Sequence, residues 1–441
     1  MGEVRVPADA LYGAQTQRAV ENFPISGLRF PRSFVRALGL IKSAAARVNG
    51  RLGQLPPELA ASIQKAADAV IEGKYDDQFV VDIFQTGSGT STNMNANEVI
   101  GRLAGAHPND HVNRGQSSND VIPSAIHVAA VVLVHEELLP AMQGLAGSLQ
   151  KKAEEFKDIV KIGRTHLQDA VPMLLGQEFR GYAGQVEASM DRVRAALVGI
   201  YELPLGGTAV GTGLNAIPGF AAATIEEIAA RTKLPFREAR NHFEAQAAKD
   251  AISFLSGALK TYAVALTKIA NDTRWLASGP RSGLGEVRLP ETQPGSSIMP
   301  GKVNPVIAES LLMACAQVIG YDATITWCCA AGNLELNVMM PVMAYDLLES
   351  IALLAAGSRN FDQRAIQGLE ADRERASGYV EQSLAMCTVL APVIGYEKAA
   401  GIAKEAYRSG RTVREVAREM SGIPEPQLNQ LLDARSQTGG D

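Results

Sequence analysis

The chain has 441 residues, of which 46% are hydrophobic and only 5% aromatic. That length exceeds what one simple core needs, so two or three domains are expected. Abundant alanine with few aromatic residues favours closely packed helices over a β-sandwich. The formal net charge of −5 gives no basis for binding nucleic acid or an anionic membrane.

The opening sequence and the cysteines indicate neither export nor a metal centre. The first residues, MGEVRVPADALYGAQTQ, lack the apolar core of a signal peptide. The densest early apolar run, residues 125–134, is about half as long as a bilayer span. The four cysteines form no Cys-x-x-Cys pair, which argues against a zinc site or a disulfide framework. We therefore expect a cytoplasmic protein that neither binds metal nor contacts a membrane.

The first long helical pattern follows an N-terminal region of short helical patterns and loops. It begins at Ser117-Ser118-Asn119-Asp120, residue types that are typical of a helix N-cap, and continues to about residue 156. Its length is about 35 residues, or roughly 50 Å. Pro140 lies inside the pattern and is expected to kink it.

Three further tracts have the same helical character and wide apolar faces. Such faces exceed what one neighbouring helix covers, so the bundle is expected to bury them between subunits of a homo-oligomer. The tail has short amphipathic segments that are typical of a small helical domain. The tracts run from Pro172 to about Leu203, from Phe243 to about Ala277 and from Pro305 to about Phe361, with a kink or break predicted at Pro341.

The predicted fold class is mainly all-α, with three domains. An N-terminal mixed helical and loop domain covers residues 1–115, and a central long-helix bundle covers residues 116–361. A small C-terminal helical domain covers residues 362–441.

Five stretches rich in glycine, serine, threonine and asparagine interrupt the helices. Each could be an ordinary capped loop, because these residue types belong at helix ends. Their joint occurrence in a chain of long helices favours a shared role. Amides and hydroxyls at helix N-termini supply donors beside a positive dipole end, which suits a carboxylate. The stretches are Thr86–Asn97, His107–Asp120, Gly163–Asp169, Leu205–Asn215 and Gly295–Pro305.

Two alternative interpretations of these stretches fit less well. LGGTAVGTGLN lacks the preceding strand and the lysine of a phosphate-binding loop, and its glycines miss the dinucleotide spacing. HPNDH places two histidines four residues apart, but Pro108 argues against a helix there and no third metal ligand is obvious.

At these stretches the sequence resembles the aspartase/fumarase superfamily and, within it, the class II fumarate hydratases. GSSIMPGKVNP matches the family signature, and the other stretches match in the same chain order. Gly301 before Lys302 is typical of fumarases, whereas aspartases usually have alanine there. The remaining fumarase-like segments are GAQTQR, TGSGT, HPNDHVN, KIGRTHLQDA and WLASGPRSGLGE.

The resemblance implies a homotetramer whose central helices form one bundle. Each active site would then take residues from three subunits and bind a small dicarboxylate, without a metal or an organic cofactor.

The resemblance also assigns the chemical roles. Ser296 would be the base, and Lys302 and Asn304 would bind the carboxylate that accumulates charge. Thr165 and His166 match a family pair in which the histidine is paired with a glutamate, here Glu309. A carboxylate partner favours the protonated imidazole and fixes its tautomer, which suits it to hold water or relay a proton.

The remaining polar residues are expected to hold the substrate or to shape the loops. Asn95 would form part of the polar wall of the substrate site, and Asn215 would shape the stretch Leu205–Asn215. The residues expected to hold the substrate's carboxylates are Ser88, Thr90, Ser117, Ser118 and Asn119.

Three departures from the family pattern limit how far the family's residue roles apply to this chain. His107, Asn109 and Asp110 match a second anion site, but Ala104 precedes them where fumarases usually carry an arginine, which puts that site in question. The other two departures fall in helical segments and are expected to concern packing. They are Met339-Met340-Pro341 and Trp327-Cys328-Cys329.

The function predicted from the sequence is fumarate hydratase, with aspartate ammonia-lyase as the alternative. The loops that would handle the fumarate half are nearly the same in both. GAQTQ and Gly301 favour water as the added group, and NLELNVM leans towards aspartase. A third possibility, an oligomer that has lost catalysis, would predict damage at the signature residues, and these are intact.

Overall fold

The structure is a computed structural model that describes residues 2–439 and is mainly α-helical, as the sequence predicts. Eight short strands pair into four two-stranded sheets. The helices are α1 (Ala14–Asn22), α2 (Arg32–Arg51), α3 (Pro57–Ile71), α4 (Thr90–Ala104), α5 (Ser118–Leu133), α6 (Leu139–Glu155), α7 (Leu175–Ile200), α8 (Phe220–Thr232), α9 (His242–Ala247), α10 (Asp250–Leu276), α11 (Val306–Ala330), α12 (Met340–Phe361), α13 (Arg373–Gln382), α14 (Ala391–Ile394), α15 (Tyr396–Ser409), α16 (Val413–Met420) and α17 (Glu425–Leu431). The strands are β1 (Val160–Thr165), β2 (Gln168–Leu174), β3 (Glu202–Leu203), β4 (Arg237–Glu238), β5 (Val287–Arg288), β6 (Gly332–Asn333), β7 (Leu336–Asn337) and β8 (Glu370–Ala371).

The chain divides into two compact units, each built from three segments. The first comprises Met1–Pro140, Ser189–Val264 and Ala314–Ala356, and the second comprises Ala141–Ala188, Ala265–Met313 and Gly357–Asp441. The three consecutive domains expected from the sequence stay a prediction.

In the first unit, α2 is the helix around which the others pack. It lies against α3, α5 and α8. The side chains of Phe34, Leu38 and Ile41 are fully buried in this packing. Burial of each such side chain stabilises the fold by about 1.5–3 kcal/mol.

The first long helical pattern forms as predicted, with a local change at its proline. Ser117 caps α5, and the Asp120 carboxylate accepts from the Ser117 N–H, which completes a capping box. Residues 134–138 form a π-helical turn between α5 and α6. Because Pro140 has no N–H to donate to the carbonyl of residue 136, this turn adjusts the backbone just before the proline.

Two of the other tracts begin or break at places the sequence did not reveal. Pro172 lies in β2, so α7 begins only at Leu175. α9 ends at Ala247, and the backbone of the next residue, Ala248, is extended. The Lys249 ammonium donates to the carbonyls of Ala245, Gln246 and Ala248 there, which caps the end of α9.

The tract from Pro305 to Phe361 consists of two helices. The β6–β7 hairpin separates α11 from α12. Pro341 is the second residue of α12 and therefore sits in a first turn, where proline needs no donor. The break predicted near Pro341 is confirmed.

Three helical stretches are long and apolar enough to cross a membrane by length and composition alone. They differ in how much of their most apolar window is buried inside the protein: 78% for Ser118–Glu155, 61% for Met340–Ile366 and only 28% for Val306–Ala330. α11 is therefore an apolar helix that its own chain leaves largely uncovered. Its Met313 and Trp327 side chains are 68% and 78% exposed.

A buried histidine in α5 makes the stability of the fold depend on pH. Nδ1 of His127 donates to the Glu202 carbonyl at 2.8 Å, and the side chain is buried. This burial lowers the pKa of His127 to about 4. The unfolded chain binds this proton below its ordinary pKa of 6.5, so the folded state loses stability as the pH falls from 6.5 towards 4.

We predict that His127→Gln, which keeps an N–H donor for the Glu202 carbonyl, removes this acid sensitivity. Between pH 8 and pH 5 the free energy of unfolding of the unsubstituted protein should fall by about 2 kcal/mol more than that of the variant. Urea unfolding at both pH values measures the difference. An equal fall in the two proteins would contradict the assignment.

Candidate active site

The segment 295–304 is a closed loop held by its own backbone and one amide side chain. The Gly295 N–H donates to the Lys302 carbonyl at 2.9 Å, and Asn304 Nδ2 donates to the Gly295 carbonyl at 2.5 Å. A Cβ atom on Gly295 would lie 2.2 Å from the Lys302 oxygen. Only glycine therefore permits this closure.

Ser296 lies in this loop with its oxygen directed at two backbone amides. Ser296 Oγ accepts from the N–H of Ile298 at 3.2 Å and from the N–H of Met299 at 3.0 Å. Donors fixed in this way stabilise negative charge on an oxygen, as in an oxyanion hole. The geometry suits a serine that is to act as an alkoxide.

The loop lines two neighbouring cavities of the second unit. Ser296 and Lys302 line one of about 430 Å³. Lys302 also lines a cleft of about 1110 Å³, together with Asn304 and Glu309. Lys302 is common to both cavities, and the grouping of all four residues in one site stays a prediction. The other charged side chains of the cleft are Arg274, Arg288 and Glu291.

Thr165 and His166 lie at the tip of a β-hairpin that the sequence analysis missed. β1 and β2 pair antiparallel, and Thr165 faces Gln168 across a two-residue turn. The turn residues His166 and Leu167 have φ values of 56° and 59°, which the mirror-image hairpin turn requires. The turn exposes the His166 imidazole to solvent.

Among residues 2–439, no hydrogen bond or ion pair joins His166 to Glu309 within the chain. Glu309 lies in the first turn of α11 and is half-buried. The pairing stays a prediction, and the resemblance places such contacts between subunits.

In the first unit, the predicted carboxylate-binding residues lie in a connected polar cluster. Ser88 Oγ and Thr90 Oγ1 are 2.8 Å apart at the start of α4. Asn93 Nδ2 donates to Ser118 Oγ at 2.9 Å, and Asn119 Nδ2 donates to the Ala209 carbonyl at 2.8 Å. Three of the five polar stretches therefore meet here.

Two buried charges support this cluster. The Asp120 carboxylate accepts from the N–H groups of Gly206 and Thr208, both at 2.9 Å, and burial raises its pKa. The Lys42 ammonium donates to Asn113 and Gln116 at 2.9 and 3.0 Å. Burial lowers the pKa of Lys42 to about 7, an effect that the charge of Asp120 partly offsets.

The sequence analysis missed Lys42. Its signal was the single charge in LGLIKSAAA, a mostly apolar segment of α2.

Two residues of the expected second anion site, His107 and Asp110, contact each other. His107 Nδ1 accepts from the Asp110 N–H at 3.1 Å, so the His107 side chain caps a π-helical turn. The same nitrogen lies 3.0 Å from the Asp110 carboxylate. His107, Asn109 and Asp110 are all exposed. Anion binding there stays a prediction.

Two interpretations of single asparagines have different outcomes. Asn95 is buried and exchanges hydrogen bonds with the backbone of Gln78 and Val80, so it fixes a loop and does not form the polar wall expected of it. Asn215 has a φ of 68°, in keeping with its expected role in shaping the fifth stretch.

The departures from the family pattern concern packing at Met340 and Cys328, both of which are buried. Met340 begins α12, and its N–H donates to the Gly87 carbonyl. The Met340 backbone thus holds the TGSGT loop, and a charged side chain at this buried position would be costly. Trp327 differs, because it projects from the exposed face of α11.

Comparisons with known proteins cover almost the whole chain. Residues 2–320 match a family model described as lyase, and residues 386–438 match one described as the fumarase C C-terminus. "Fumarate hydratase class II 1" of Pseudomonas aeruginosa is 52% identical over 98% of this chain and 96% of its own length. "Fumarate hydratase class II" of Mycobacterium tuberculosis is 53% identical over 99% and 93%.

A solved structure gives the same result for the fold. The crystal structure of the recombinant class II fumarase from Schistosoma mansoni superposes with a TM-score of 0.96. Its sequence is 39% identical, and the match covers 98% of this chain and 96% of that one.

Proposed function

The chain belongs to the class II fumarate hydratase family, and from this premise we propose that it catalyses the reversible addition of water to fumarate. The product is (S)-malate, and the addition is anti. Substrate and product are small dicarboxylates, so the site must supply positive charge and hydrogen-bond donors within a mildly acidic protein.

The observation that carries this proposal is the serine oxygen held by two amides in a cavity that a lysine also lines. Ser296 Oγ receives the N–H groups of Ile298 and Met299, and the Lys302 side chain lines the same cavity. A serine is a poor base unless its alkoxide is stabilised by amides and positive charge. The two amides supply the first of these, and we propose that Lys302 supplies the second.

In the dehydration direction, the Ser296 alkoxide takes a proton from the carbon beside one carboxylate of malate. The electron pair moves into that carboxylate and gives a doubly charged aci-carboxylate, which Lys302 and Asn304 stabilise. The hydroxyl on the neighbouring carbon then leaves as water, with a proton relayed through His166 and its partner Glu309. The hydration of fumarate is the reverse.

The proposed site takes its groups from different subunits of a homotetramer. Ser88, Thr90, Ser118 and Asn119 of one chain would hold the substrate's carboxylates, and Ser117 would fix the loop that carries the last two. The largely uncovered α11 supports this assembly, because an apolar helix of 25 residues needs a partner surface.

We further propose that the protein is cytoplasmic and that other subunits, rather than lipid, cover α11. The long tract before it, Ser118–Glu155, is already 78% buried in its apolar window.

The activity is tested by following the ultraviolet absorbance of fumarate. Purified protein given malate should produce fumarate, and the same protein given aspartate should not. If the absorbance rises with aspartate and does not rise with malate, the protein is an ammonia-lyase and the proposal is overturned.

The role of the serine is tested by Ser296→Ala. We expect kcat to fall about 100- to 10,000-fold, because no oxygen remains to accept the proton. Circular dichroism and the sedimentation profile should be unchanged. Ser409→Ala, which alters an exposed serine at the end of α15, serves as the matched control. Normal turnover by Ser296→Ala would place the base elsewhere.

The assembly is tested by Trp327→Glu. A carboxylate buried in a subunit contact lowers the stability of the assembly by on the order of several kcal/mol. Analytical ultracentrifugation should therefore show the tetramer replaced by smaller species. Tyr407→Glu introduces the same charge at a side chain that is 79% exposed on α15 and should leave the tetramer intact. An unchanged tetramer in the Trp327 variant would mean that this face of α11 is not a contact.

A further inference from the structure

Glu286 is a fully buried carboxylate at the centre of an ion-pair cluster in the second unit. Arg164 Nη1 donates to Glu286 Oε1 at 2.8 Å, and the Lys161 ammonium lies 3.2 Å from Glu286 Oε2. Lys161 also donates to Glu178 at 2.8 Å. Two cations and two carboxylates therefore balance in the interior, as buried charges require.

The two cations belong to β1, the strand that leads into the His166 turn. Arg164 is two residues before His166 and pairs in register with Asp169 on β2. The turn itself is exposed, so packing does not fix it. The Arg164 guanidinium, which Glu286 holds, ties the strand to the interior two residues before His166.

The other side of Glu286 belongs to the wall of the cleft that contains Lys302. Glu286 directly precedes Val287 and Arg288, which line that cleft with Lys302 and Glu309. The Glu286 carbonyl accepts from the Asp372 N–H at 2.8 Å, where β5 pairs with β8. One side chain thus connects the hairpin to the wall.

Helix α13 fixes the same junction from a third direction. Arg375 donates to the carbonyls of Arg281, Gly283 and Leu284. The Tyr379 ring lies between two guanidinium groups, 5.5 Å from that of Arg164 and 5.3 Å from that of Arg375. Such cation–π contacts favour a fixed direction of the Arg164 side chain.

We propose that Arg164 and Glu286 are positioning residues that hold the His166 turn in place on the second unit, from which it would reach the Lys302 cleft of a neighbouring subunit. Neither residue touches substrate. The ion pair acts through the β1 strand, and it affects the proton relay more than the binding of the carboxylates. This inference rests on the proposed hydration of fumarate.

The test is Arg164→Met, with kcat and KM for fumarate measured separately. The variant removes one of the two cations and leaves Lys161 as the cation beside Glu286, so its melting temperature is measured together with its kinetics. We expect kcat to fall about 10- to 100-fold, because a displacement of about 1 Å at a reacting group costs that much. KM should change less than kcat does, since Lys302 and Asn304 stay in place.

Conservative variants separate positioning from folding. Arg164→Lys keeps a cation opposite Glu286 and should recover most of kcat. Glu286→Asp keeps the charge balance but withdraws the carboxylate by one methylene, and should lower kcat with KM retained. The matched control is Arg435→Met, which removes an exposed ion pair with Asp158 at the base of the hairpin and should not alter either constant.

The outcomes distinguish the two levels of the proposal. If the unsubstituted protein does not hydrate fumarate, the proposed function fails. If it does, and Arg164→Met keeps its kcat, the positioning role is overturned. Equal losses in Arg164→Met and Arg164→Lys, together with a lowered melting temperature in both, would also overturn it, because the ion pair would then only stabilise the fold.

Discussion

The apolar surface that α11 leaves uncovered is the constraint on which the rest of the molecule depends. Only 28% of its most apolar window is buried by its own chain. Exposing the remaining apolar surface to water is unfavourable. Polar groups proposed to act in the site are attached to helix starts, at Thr90 on α4, Ser118 on α5 and Glu309 on α11. Whatever surface covers α11 therefore also decides which helix starts meet, and in the proposed tetramer that surface is other subunits.

A common physical device supports the loops in both units. In the first, the buried Asp120 gathers the amides of Gly206 and Thr208 around the polar cluster. In the second, the buried Glu286 gathers two cations from β1. Each carboxylate is costly to bury unless cations or hydrogen-bond donors offset its charge, so each favours one arrangement of the segments around it. The loops are thereby fixed without a large apolar core of their own.

The long helices were predictable from sequence because periodic apolar residues and capping residues such as Ser117 act locally. The order of the polar stretches, and the grouping of Ser296, Lys302 and Asn304, followed from the signature loop. The β-hairpin around His166 was not predictable in this way, because its strands carry the buried charges Lys161 and Arg164 rather than an apolar alternation. Lys42 was also missed, since its partners Asn113 and Gln116 are distant in sequence.

The two left-handed residues at the hairpin tip have a consequence for how this protein can be improved. Neither His166 nor Leu167 is glycine or asparagine, and L-residues with side chains adopt this conformation at a cost of roughly 1–2 kcal/mol each. An Asn-Gly pair would relieve that cost. Thermostability engineering that ranks substitutions by turn preference would therefore remove the imidazole first. On the proposed mechanism, such a search is expected to give a more heat-resistant protein that lacks the proton relay.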